Sequence, residues 1–239
     1  MNPAGTQRDV ETNRQDAHGR SPLAHLLHAL NQPLTGLQCS IELALGSPRR
    51  PDQYVQTLRE GLELAERMRT LVEALRELED LQQAKKSHGE LVELDRLLEE
   101  IVGELRPVGE AKCVRLELQI ERRQKRSDGG SLKVSGDRHQ MAVLAFRLVE
   151  SGLSLAATGS ILPIHVTHED RRVHIAVSWV PGVQPRNSPF SPAELGLIVA
   201  QAGWERAGAE WTEPNGGPQR RCSLWLPLAE VMSQANAGS

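Results

Sequence analysis

Between Ser21 and Ala44 the apolar residues Leu23, Leu27, Leu30, Leu34, Leu37 and Ile41 recur in steps of four and three, and Ala44 completes the series. That spacing is the seam of a helix packed lengthwise on another helix. Ser21-Pro22 supplies an N-cap and a first-turn proline, and the Gly46–Pro51 run stops the helix near Leu45. Asp52 then caps a second helix, expected from about Gln53 to Ala84, with Val55, Leu58, Leu62, Ala65, Met68, Leu71, Leu75 and Leu78 on its apolar side. Two long helices joined by a short turn form an antiparallel hairpin. One hairpin cannot bury both seams, so the expected assembly is a homodimer in which two hairpins make a four-helix bundle.

The period changes after the polar linker Lys85–Gly89. A helix is expected from Leu91 to Leu105, followed by a half-buried strand where Val114–Ile120 alternates strictly. Glu121 to Gly130 reads as a charged loop with an Asp-Gly-Gly turn, and Leu132–Val134 as a short strand. Asp137 caps a helix over about 138–157. Ile161–Thr167 and Val173–Val180 form a hairpin across Glu169-Asp170-Arg171. Ser191-Pro192 opens a helix that ends near Gly208, and strands at 210–212 and 222–226 flank an Asn-Gly-Gly-Pro turn. The predicted architecture is an all-α hairpin followed by an α+β two-layer sandwich. Its divisions are a tail at 1–20, the hairpin at 21–87, the sandwich at 88–230 and a tail at 231–239.

Composition narrows the function classes. The 239 residues carry a net charge of −3, which argues against nucleic acid as the main partner. Cys39, Cys113 and Cys222 are odd in number, far apart and without metal-ligand spacing, as expected of free thiols in a reducing compartment. No stretch reaches the roughly 18 uninterrupted apolar residues of a membrane span, and the polar first twenty residues are not a secretory leader. The expected location is the cytoplasm.

The candidate chemistry lies on the first helix. The run Ser21–Ile41 contains no Asp, Glu, Lys or Arg, yet it holds His28 at the flank of the seam. Pro33, five residues on, cannot donate to the Ala29 carbonyl, so a bend is expected one turn past the histidine. His25 is given no role. The segment His28-Ala29-Leu30-Asn31-Gln32-Pro33-Leu34 resembles the H-box of the two-component sensor histidine kinases, whose common form in one branch has an acid directly after the histidine. Ala29 stands in that place.

The resemblance extends over 21–228 in element order and implies a dimerisation and phosphoacceptor hairpin followed by an ATPase-type sandwich. It departs from the family in the nucleotide boxes. Where the family has metal-binding asparagines, this chain has Arg147 and Ser151, with Glu150 between them. The Asp-x-Gly-x-Gly box is matched only at Gly182, with Ser178 in place of the acid and Val180 in place of a glycine. Of the last glycine box only Leu195-Gly196-Leu197 remains, and Glu194 sets a carboxylate where phosphates belong. The segment between Gly182 and Leu195 is short for a nucleotide lid.

These departures imply a protein that uses neither ATP nor Mg²⁺ and binds no other metal. His28 is the expected phosphoacceptor. A neutral imidazole is a competent nucleophile toward phosphorus near pH 7, but Ala29 cannot take its proton. Gln32, one turn along, is the candidate for orienting the water that dephosphorylates a response regulator, or for a backbone hydrogen bond near Pro33. The expected function is phosphotransfer between His28 and a response-regulator aspartate, as in histidine phosphotransferases. Two alternatives stand beside it: a sensor kinase that retains nucleotide in a reshaped site, and a non-catalytic module that binds a regulator or an active kinase.

Overall fold

The computed structural model describes residues 22–46, 48, 50–83, 90–121, 132–169, 171–183, 191–212 and 217–229. The expected tails, the Ser21 cap, the 85–89 linker, the charged loop, and the Asp170 and Asn215-Gly216 turn residues lie outside the described residues, as does most of the stretch between Gly182 and Leu195. The chain divides into two compact units, Met1–Asp80 and Leu81–Ser239.

The first unit holds helices α1 (Pro22–Leu45) and α2 (Pro51–Gln83). Helix α2 starts two residues before the expected Gln53. There the Gln53 side chain reaches back to accept from the Arg50 backbone N–H (3.0 Å), and Asp52 pairs with the Arg50 guanidinium (2.9 Å). The helices meet at two reciprocal points. A methyl group built on Gly36 would touch Leu64 Cδ1 at 3.6 Å, and one on Gly61 would touch Leu37 Cδ1 at 3.2 Å. Leu26, Ala29, Leu71, Ala74 and Leu78 are buried.

The expected seam is left partly open in the single chain. Its members Leu27, Leu34 and Ile41 are exposed, whereas Leu26, Ala29 and Pro33 face inward. The four-three spacing describes two adjacent stripes, and only one of them is covered within a single chain. Helix α1 also runs unbroken through Pro33.

The second unit begins with β1 (Glu90–Glu93), α3 (Leu94–Ala111), β2 (Arg115–Ile120) and β3 (Lys133–Gly136). It continues with α4 (Arg138–Leu155), β4 (Ile161–Glu169), β5 (Arg172–Trp179), α5 (Pro192–Arg206), β6 (Glu210–Thr212) and β7 (Arg220–Pro227). Residues 90–93, expected at a helix start, instead pair antiparallel with β3. Helix α3 also continues past Leu105 and through Pro107. The bond that Pro107 removes would have gone to the carbonyl of exposed Gly103, where water can replace it.

The main sheet has the order β2-β4-β5-β7-β6, parallel between β2 and β4 and antiparallel elsewhere. Its ladder alternation turns Ile164, Val166, Ile175, Val177 and Leu224 toward α3, α4 and α5, and all five are buried. Asp137 caps α4 by accepting from the Gln140 N–H (2.9 Å), as expected. Helices α4 and α5 approach through two glycines. A methyl group on Gly203 would collide with Leu144 Cδ2, and one on Gly196 with Ser151 Oγ.

Candidate functional site

His28 projects from α1 into solvent, and Gln32, one turn further, is also exposed. Helical spacing carries the same outward stripe on through Thr35 and Cys39, both exposed. The Thr35 hydroxyl donates to the Asn31 carbonyl at 2.9 Å, giving it a side-chain partner in the turn that Pro33 interrupts. Ala29 points the other way and is only 2 % exposed. Position 29 therefore offers no carboxylate to His28, and a buried methyl group stands where an acid would need water.

The positions expected to depart from the nucleotide boxes lie around α4 and its neighbours. Arg147 and Ser151 are one turn apart on α4; Arg147 is half-buried and Ser151 is buried. Ser151 and Gly196 are brought into direct contact, which the sequence did not reveal. Ser178 is buried within β5, in register with Arg221 of β7.

Gly182 follows β5 and is fastened by backbone to the end of α4. Its N–H donates to the Leu155 carbonyl (2.9 Å), and the Ala157 N–H donates to the Val180 carbonyl (2.8 Å). A side chain at position 182 would meet the Ala156 carbonyl oxygen at 3.2 Å, so this glycine is needed for close approach of protein backbone. The Val180 side chain is half exposed and does not fill the interior.

Glu194 has a role that the sequence did signal, through the Ser-x-x-Glu pattern at 191–194. The Ser191 Oγ accepts from the Glu194 N–H (3.2 Å), and Glu194 Oε2 accepts from the Ser191 N–H (2.8 Å) and from its hydroxyl (3.1 Å). A helix N-terminus is electropositive and suits an anion. At α5 the anion is the chain's own carboxylate.

The donor set does not suit a magnesium triphosphate. The guanidinium of Arg147 has no acceptor for a cation. Ser151 is closed over by Gly196, and Glu194 would repel phosphate at the end of α5. Among the clefts of the described surface is one of about 720 Å³ beside Arg106, Val114 and Ile161 and one of about 460 Å³ beside Glu99, Leu118 and Ile120. Neither is lined by Arg147, Ser151, Ser178, Gly182 or Gly196.

Among the described residues no helix is long and apolar enough to cross a membrane. Cys39 and Cys113 are exposed and Cys222 is buried in β7, and none of the three forms a disulfide.

Residues 22–84 match the family model of the His Kinase A (phospho-acceptor) domain. No curated protein matches the chain in sequence. Among solved structures, the chain is similar to the histidine kinase AdeS of Acinetobacter baumannii, with a TM-score of 0.53 and 20% identity, covering 84% of this chain and 98% of that one. It is also similar to full-length ShkA, solved in complex with AMPPNP, with a TM-score of 0.52 and 15% identity over 87% of this chain and 45% of that one. At these identities the likeness is one of fold. The matched phosphoacceptor domain supports signalling of the two-component histidine kinase type, and the likeness to solved kinases extends the shared fold over most of the chain.

Proposed function

We propose that this chain exchanges phosphate between His28 and the aspartate of a response regulator without using ATP. The observation that carries the reading is Glu194, whose carboxylate occupies the anion-binding end of α5 in a capping box. The contact between Gly196 and Ser151 supports it from the other side, because the Ser151 hydroxyl lies against the α5 backbone.

In the proposed step the unprotonated ring nitrogen of His28 attacks the phosphorus of the regulator's aspartyl phosphate. A P–N bond forms, the acyl-phosphate P–O bond breaks, and the aspartate leaves as a carboxylate. The other ring nitrogen gives up its proton to water, since Ala29 offers no acceptor. The regulator supplies the metal and acidic pocket for this chemistry. Gln32, exposed one turn along, is placed to hold a water against a docked regulator and so to promote dephosphorylation.

The His Kinase A domain is a dimerisation domain, and the exposed stripe of Leu27, Leu34 and Ile41 on α1, with Leu58 and Leu62 on α2, is the surface a second hairpin would cover. The reading therefore includes a homodimeric four-helix bundle with a histidine on the outer face of each copy.

The test supplies phosphate from two sources. Purified protein and His28→Ala are incubated with Mg²⁺ and γ-labelled ATP, or with receiver domains charged by labelled acetyl phosphate. The expected result is acid-labile label on His28 from charged receivers and none from ATP. Label from ATP would establish a kinase with a reshaped nucleotide site. No label from either source would leave a non-catalytic regulator-binding module.

A further inference from the structure

We draw no further inference here: the strongest candidate, the surface patch of the main sheet where His174 of β5 stacks on Trp225 of β7 beside Arg172, carries nothing, because Arg172 is already paired with Glu210 (2.6 Å) and nothing in the structure shows what covers the patch.

Discussion

The two units of this chain solve the burial problem in opposite ways. In the hairpin, α1 and α2 touch where Gly36 faces Leu64 and Gly61 faces Leu37, while Leu58 (73 %) and Leu62 (61 %) stay largely exposed. In the sandwich, helices α3 to α5 cover a sheet whose inward residues are nearly all buried, and even glycines are used to bring α4 against α5. The hairpin carries a near-complete family motif on an open surface. In the sandwich, protein groups meet protein groups at Ser151, Gly182 and Glu194. The motif of the hairpin faces outward, whereas these positions of the sandwich are engaged by the chain's own packing.

The largest expected effect tests the interior face of the hairpin. Ala29→Glu restores the family's acid, but at a buried position, so it should destabilise the hairpin by about 3 kcal/mol or more without adding label from ATP. Urea melts followed by circular dichroism, together with the γ-labelled ATP assay, measure both parts. A stable variant that takes label from ATP would show that the missing acid, rather than the closed sandwich, is what withholds kinase activity.

The next pair compares the helix contacts of the two units. Gly203→Ala drives a methyl group into fully buried Leu144 and should cost about 1–3 kcal/mol. Gly36→Ala meets Leu64 at ordinary contact distance, so the better helix propensity should prevail and stabilise by about 0.5–1 kcal/mol. Opposite shifts in melting midpoint would sharpen the contrast. Equal destabilisation would mean that the hairpin is packed as tightly as the sandwich.

The smallest effect is a pH dependence confined to the sandwich. His174 stacks on Trp225 with ring centroids 4.2 Å apart and an interplanar angle of 21°, and Arg172 lies 5.6 Å from the Trp225 ring centre. Burial, with Arg221 adding to it and Glu169 opposing it, holds the His174 imidazole below its ordinary value. The unfolded chain then takes up the proton more readily than the folded one. The stability that neutral His174 contributes is complete above about pH 6.5 and is lost as pH falls through the lowered folded value. His174→Gln should remove this slope from melts between pH 7 and 5. The solvent exposure of the ring keeps the effect small.

The fold is legible in the sequence where the information is local. The hairpin, the α4 cap at Asp137 and the four strands β4 to β7 follow from period, caps and turn residues. Strand Glu90–Glu93 is not legible, because it exists only through its pairing with β3, a partner distant in sequence. The true end of α3 is hidden because Pro107 is tolerated where the Gly103 carbonyl meets water. At the candidate site His28 and its exposure were legible, since the motif and the helical face are set within two turns. The inward position of Ala29 was not, because a four-three spacing cannot say which of two neighbouring stripes meets the partner helix within the same chain.

By itself the sequence determined the local chemistry of this protein: a histidine followed by an alanine, Arg147 and Ser151 one turn apart on a helix, and helices whose ends are written in Ser, Asp, Pro and Gly. Only the tertiary structure decided what surrounds those positions. Ser151 meets Gly196 and Gly182 meets Ala156 through the closure of separate elements, and such contacts follow no sequence period. The same closure set β2 at one end of the described sheet, because a strand's place in the ladder depends on which neighbours the fold supplies.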